Sequence, residues 1–212
     1  MLRWFENRID AFPPARPTQP PTTLFAFCMH YVRGSTRWLL IMAALTAAIA
    51  VSEVLLYAYV GSLVDRLGAS TPASFMSAEA GRLVGMAVLV LVALPLLTWF
   101  NAMVIHQTLL GNFPMRIRWN VHRYLLRQSM SYFQEEFAGR IATKLMQTSL
   151  AVRETVIKLL DVGNYVIVYF TGAIIVAASA DWRMMLPFVG WLLLYSALMW
   201  RFVPRLSHIS ER

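Results

Sequence analysis

Apolar residues in this chain are grouped into four long blocks, separated by polar segments of very unequal length. The blocks lie at about residues 38–60, 83–103, 160–180 and 184–203. A helix rises about 1.5 Å per residue, so a hydrocarbon core about 30 Å thick needs about 20 residues, and each block meets that length. The pattern predicts four transmembrane helices.

The segment between the second and third blocks, residues 104–159, has the periodicity of helices rather than of a loop. Apolar residues recur at helical spacing on either side of an interruption at residues 131–139, and the stripes are Ile117, Val121 and Leu125, then Leu145, Val152, Val156 and Leu159. Basic residues share the opposite face of the first limb, as in a helix packed on one side only. We predict a helical hairpin whose limbs continue the second and third spans, with a kink at Pro114.

The residues before the first block divide into two parts. Residues 1–22 include the run PPARPTQPP, which cannot form a helix, and we predict a disordered, proline-rich leader. Residues 23–36 are aromatic but too short to cross a bilayer, which indicates an interfacial elbow helix lying along the membrane surface. Residues 37–212 then form the membrane domain.

Composition and charge exclude most soluble classes. Of the 212 residues, 58% are hydrophobic and 14% are charged, which is far from globular usage. The excess of 19 Lys+Arg over 11 Asp+Glu could suit nucleic acid, but the basic residues concentrate in 104–159 and near the C-terminus, between apolar blocks. This is the positive-inside pattern, so we predict a multi-pass protein of the plasma (inner) membrane with both termini cytoplasmic and no nucleic-acid partner.

The sequence contains few residues that could support catalysis. The lone Cys28 excludes an internal disulfide, and no Cys/His cluster or Ser/His/Asp set has a recognisable spacing. A phosphate-binding P-loop needs a lysine directly after glycine, whereas the lysines present, Lys144 and Lys158, follow other residues. We therefore expect no catalytic residue, metal or cofactor site in this chain.

Polar residues inside or beside the apolar blocks are candidates for a translocation path, and they are Glu53, Asn101, His106 and Asn164. A carboxylate within a span is costly and marks a functional site by default. Glu53 is therefore either a substrate or proton contact, or a group hydrated or bonded to a neighbouring helix near the outer end of its span. The other three residues either line a cavity or make hydrogen bonds between helices.

Two motifs resemble the transmembrane domain of type IV ABC exporters. Residues 123–133 read RYLLRQSMSYF, and after five further residues the chain restarts as GRIATKL at 139–145. In that family the corresponding run ends in two aromatics, turns through a short coupling helix and restarts at glycine. The exit of the first span, GSLVDRL at 61–67, is similar to the family's pattern as well. The chain departs from that pattern at Lys144, where the family usually has Arg, and at Thr148, where it usually has Asp.

The resemblance implies an all-α fold that is part of a six-helix exporter domain. It implies that an ABC ATPase domain, which binds ATP and Mg²⁺ and is not part of this chain, docks on the tip of the hairpin. The implied coupling residues are Phe133, Gln134, Glu135, Glu136, Phe137, Ala138, Gly139 and Arg140. Further partners are the lipid bilayer and a second copy of the subunit, or a related half-transporter. We expect the chain to be an incomplete subunit, from a truncated reading frame or as a fragment.

A second class of function stays open at this point. A small four-span adaptor could use the same hairpin to bind a cytosolic partner without transporting anything. A membrane-embedded enzyme has no constellation of residues to support it. The sequence downstream in the genome separates the first two, because an exporter continues into further spans and a P-loop.

The charge asymmetry predicts on which side of the membrane each connection lies. In a chain carrying Cys28→Ser, cysteines introduced by Ser74→Cys and Ser131→Cys should react with a membrane-impermeant maleimide from opposite sides, Ser131→Cys from the cytoplasm. Labelling of both from one side would contradict the four-span topology.

Overall fold

The computed structural model describes residues 2–14, 18–69, 72–135 and 138–210. No strand occurs within these ranges. The α-helices are α1 (Leu2–Glu6), α2 (Leu24–Val32), α3 (Thr36–Ala69), α4 (Pro72–Val88), α5 (Leu94–Met103), α6 (Asn112–Leu125), α7 (Met130–Glu135), α8 (Ala138–Lys158), α9 (Asn164–Ala180) and α10 (Met185–Ser210). π-Helical turns at Leu89–Ala93, Val104–Leu109 and Leu159–Gly163 join consecutive helices, and a 3₁₀ turn at Trp182–Met184 precedes α10.

Four helical stretches are long and apolar enough to cross a membrane: Thr36–Leu67, Glu79–Leu125, Gly139–Ala180 and Trp182–Val203. The predicted all-α membrane fold with four spans is therefore confirmed. The second and third stretches are much longer than the apolar blocks, because each continues as a helix into one limb of the hairpin between them.

The first span is the centre of the bundle. Helix α3 packs against α5 and α9, and α10 packs against α9. Where α9 meets α3, the chain has Gly172, and a Cβ atom there would lie 3.0 Å from both methyl groups of Val54. A small residue at this contact lets the two backbones approach closely, as membrane helix pairs require.

The hydrophobic core lies at one end of the spans rather than between them. It joins residues of α1, α2, the start of α3, the turn at 104–109, α6 and α8, and its most buried members are Leu39, Met42, Leu109, Phe113 and Ile117. The first three spans and the hairpin limbs that continue from them all contribute to it. The core therefore fixes the hairpin and the N-terminal residues to the base of the first three spans.

The hairpin forms as predicted, but its limbs are not continuous rods. Helices α6 and α8 pack against each other, and Arg118 Nε donates to Ser149 Oγ at 3.0 Å. The outgoing limb is interrupted at Leu110–Gly111 and again after α6. The first break precedes Pro114 because proline has no N–H to donate to the carbonyl of the residue four positions earlier.

The prediction of a packed apolar stripe is wrong for one residue. Val152 and Val156 are buried, whereas Leu159 is 67% exposed. The π-helical turn that begins at Leu159 changes the rotation of the helix, so a periodicity of 3.6 residues does not extend across it.

The prediction of a disordered leader is wrong for residues 2–14. Helix α1 contacts the turn at 104–109, and Phe5 and Ile9 are buried in the core. The carbonyl of Phe5 accepts a hydrogen bond from Thr108 Oγ1 at 3.2 Å. Apolar side chains with helical spacing, placed before the proline run, bury enough surface to order this segment.

The turn between α2 and α3 depends on Gly34. Its φ is +91°, a conformation that residues with a side chain rarely adopt, and a Cβ atom would lie 2.3 Å from Nη2 of Arg116. This close approach joins the elbow to α6. The elbow, the first span and the hairpin therefore meet at one residue without a side chain.

Gly34→Ala should destabilise the protein by roughly 1–3 kcal/mol, because the left-handed backbone is strained for alanine. The measurement is thermal unfolding in detergent. Gly61→Ala is the matched control, since Gly61 lies within α3 with nothing near its missing Cβ, and it should be neutral or slightly stabilising. Equal melting temperatures for the two variants would contradict this account of the turn.

Candidate functional site

A hydrogen-bonded cluster joins the first three spans through Thr46. The Thr46 hydroxyl donates to Asp161 Oδ1 of the third span at 2.6 Å and accepts from Asn101 Nδ2 of the second at 3.2 Å. Thr46 is only 4% exposed. One hydroxyl, used both as a donor and as an acceptor, therefore links three helices.

A second bond of the same kind lies one turn away. Asn164 Nδ2 donates to the backbone carbonyl of Ala43 at 2.7 Å. Of the two alternatives for Asn101 and Asn164, the structure shows hydrogen bonds between helices. His106 is exposed on the π-helical turn at 104–109 and does not join the cluster.

The π-helical turns lie next to the cluster. Asp161 is inside the turn at 159–163 and Asn164 begins the helix after it, while Asn101 comes just before the turn at 104–109. An inserted residue in a helix rotates the side chains on either side of it, and such turns are frequent at functional sites.

Sequence reasoning missed Thr46 and Asp161. Asp161 offered a signal, because it is an acidic residue within the third apolar block.

Glu53 lies on the same side of α3 as Thr46, seven residues further along. Tyr165 Oη of the third span donates to Glu53 Oε2 at 2.5 Å, and its ring stacks on Tyr169 with centroids 5.6 Å apart. Seven residues correspond to about 10 Å along a helix. Glu53 is thus bonded to a neighbouring helix, beside two aromatic rings, and is well separated from the Thr46 cluster.

The tip of the hairpin presents aromatic side chains outside the membrane. Tyr132 and Phe133 of α7 are 37% and 38% exposed and meet edge to face, with ring centroids 5.5 Å apart. Gly139 and Arg140, at the start of α8, are exposed. Glu136 and Phe137 lie outside the described residues, and the side chains of Gln134, Glu135 and Ala138 are likewise not described.

Two mainly apolar cavities of about 240 Å³ each lie between the limbs near this tip. They share Leu125, Ile141 and Leu145, and Tyr132 lines one while Phe133 lines the other. The first also contacts the elbow through Phe27 and Tyr31. The aromatic pair therefore lies between these two apolar cavities, an arrangement that can accept side chains from a partner.

Thr46→Val should destabilise the chain by roughly 1–2 kcal/mol, because Asp161 and Asn101 lose their shared partner in a low-dielectric environment. Unfolding in mixed detergent, followed by circular dichroism, measures the loss. Thr98→Val is the control, since Thr98 is exposed on α5. A melting curve for Thr46→Val that coincides with that of Thr98→Val would show that the cluster contributes nothing.

Comparison with known proteins agrees with this architecture. The family described as "ABC transporter transmembrane region" matches residues 38–212. The chain is 42% identical over 214 aligned positions to an uncharacterized ABC transporter ATP-binding protein of Haemophilus influenzae. The alignment covers 100% of the chain and 34% of that relative, so the chain spans about a third of the relative's length. No solved structure matches the chain.

The family match covers the first span from residue 38 onward, the other three spans and the hairpin between the second and third. It includes both motifs on which the resemblance depends, at residues 61–67 and 123–145. The chain therefore belongs to the ABC transporter transmembrane-region family.

Proposed function

We propose that this chain forms part of the translocation path of an ATP-driven exporter and transmits the motion of an ATPase domain through its hairpin. The observation that carries the proposal is the structure of the hairpin tip, which is formed by α7 and the start of α8. It presents Tyr132 and Phe133 between two apolar cavities, on limbs that lead into the second and third spans. Residues Phe133 to Arg140 are the proposed docking segment.

The contacts above the tip supply the stiffness that coupling requires. Helices α6 and α8 pack together, and the Arg118–Ser149 bond holds them in register. Further up, the Thr46 cluster ties both continuing spans to α3. A displacement of the tip would therefore move the first three spans as one body. ATP and Mg²⁺ would bind in the ATPase domain and drive that displacement.

Glu53 is the candidate for a substrate contact in the path. It is an ionisable group within a span, and its Tyr165 bond keeps the carboxylate beside aromatic faces. Asn101 and Asn164 would then act by holding the helices that form the wall, and His106 would lie near the cytoplasmic entrance. A second copy of the subunit, or a related half-transporter, would complete the path.

In the complete transporter, with its ATPase domain, Phe133→Ala should uncouple ATP hydrolysis from export. Loss of the aromatic anchor weakens docking, and a buried interface anchor of this kind contributes about 2 kcal/mol or more. We expect substrate export in inverted vesicles to fall by roughly tenfold or more while the basal hydrolysis rate changes by less than about twofold.

Met146→Ala is the matched control, because Met146 is a 46% exposed apolar residue of α8 outside the proposed docking segment. This variant should export at the wild-type rate. Export and substrate-stimulated hydrolysis that are both unchanged in Phe133→Ala would refute docking at the tip. A wild-type protein that binds a cytosolic partner but exports nothing would instead favour the alternative of a four-span adaptor.

A further inference from the structure

A cavity of about 620 Å³ lies where the N-terminal segment meets the start of the first span. It is lined by Arg8, Gly34, Thr36, Arg37, Trp38 and Ile41. It lies apart from both the hairpin tip and Glu53, which contribute no lining residue. Its walls come from three parts of the chain: the residues after α1, the elbow turn and the first two turns of α3.

The cavity exists because the N-terminal segment is held against α6. The side chains that hold it share one face of that helix and donate to backbone carbonyls of residues 6–14. Asn112 bonds Glu6, Arg116 bonds Asp10 at 2.9 Å, Trp119 bonds Pro13 at 3.2 Å, and Arg123 bonds Pro13 and Pro14 at 3.0 Å. Because the acceptors are main-chain groups, a fixed spacing along α6 sets the position of the whole segment.

Aromatic contacts then place Arg8 in the cavity wall. Its guanidinium lies 3.6 Å from the centroid of the Trp4 ring, and Trp4 meets Trp38 edge to face at 6.2 Å. Trp38 is itself a lining residue. Arg8 is therefore oriented by packing rather than by a carboxylate.

The described residues do not neutralise the positive charge of the cavity. Among the described residues, neither Arg8 nor Arg37 has a carboxylate partner within ion-pair distance. Arg116 adds a third guanidinium at the edge, against Gly34. Three cations around one cavity repel each other, so an anion that fits between them would bind favourably.

The position of the cavity indicates what kind of anion this is. The first span begins at Thr36, so Arg37 and Trp38 lie at the membrane boundary, the level at which tryptophan and lipid phosphates occur. Just beyond, Ile41 lines the cavity, and the neighbouring Leu40 is 60% exposed on the same helix. Cationic groups at the headgroup level above an apolar surface match a phospholipid, with its phosphate outside and its acyl chains inside.

We propose that this cavity binds the phosphate headgroup of an anionic phospholipid, with Arg8 and Arg37 as the phosphate ligands. The bound lipid bridges the N-terminal segment and the first span. The proposal does not depend on transport or on docking of an ATPase domain, so it can fail or hold independently of the proposed function.

The test is thermal unfolding of the detergent-purified chain, titrated with dioctanoyl-phosphatidylglycerol, dioctanoyl-phosphatidylcholine or inorganic phosphate. We expect a saturable rise in melting temperature with phosphatidylglycerol only. Arg8→Gln combined with Arg37→Gln should weaken the apparent affinity by roughly tenfold or more. Arg3→Gln combined with Arg33→Gln removes the same charge from neighbouring positions outside the lining, and should shift the affinity by less than about twofold.

Arg8→Lys combined with Arg37→Lys keeps the charge and should retain part of the response, so a glutamine variant that fails to fold leaves the test intact. An equal response to the two lipids would overturn the proposal, as would an undiminished response in the glutamine variant. A response to inorganic phosphate equal to that for phosphatidylglycerol would assign the cavity to a soluble phosphate instead.

Discussion

The arrangement of the first three spans depends on the two hydrogen bonds that the Thr46 hydroxyl makes. In a hydrocarbon environment apolar packing alone gives little preference for one helix arrangement over another, and an unsatisfied polar group is costly. Thr46 donates to Asp161 and accepts from Nδ2 of Asn101, and Asn164 adds a bond to the backbone of the same helix. These contacts restrict both the rotation and the depth of the second and third spans relative to α3.

The π-helical turns reconcile this requirement with the packing outside the membrane. Within or above the turns at 104–109 and 159–163, Asn101, Asp161 and Asn164 must face α3. Below them, Phe113, Ile117, Val152 and Val156 must face the core. A continuous α-helix keeps one rotation along its length, whereas one inserted residue shifts it. Each limb of the hairpin can therefore take the rotation that its packing against the core requires, while it stays connected to its span.

The same end of the molecule carries both proposed interaction surfaces. Arg116 connects them, since it bonds the N-terminal segment through Asp10 and lies against Gly34 of the elbow while belonging to the outgoing limb of the hairpin. Movement of that limb would therefore move the wall of the proposed lipid cavity. The membrane surface and the hairpin tip are linked through one helix, α6.

The four spans, the hairpin and the overall class were predictable from the sequence because they depend on local properties. Apolar length determines a span, and a 3.6-residue period determines an amphipathic limb. The resemblance at residues 123–145 then indicated a docking tip, which stays a prediction. Only the tertiary structure decided which polar groups meet. Asp161 and Thr46 form a hydrogen bond although they are 115 positions apart in sequence. Leu159 faces outward because a π-helical turn precedes α9. Residues 2–14 are ordered because side chains of α6 donate hydrogen bonds to their backbone carbonyls. These outcomes depend on long-range partners and on helix rotation, which a pattern read along one segment does not contain.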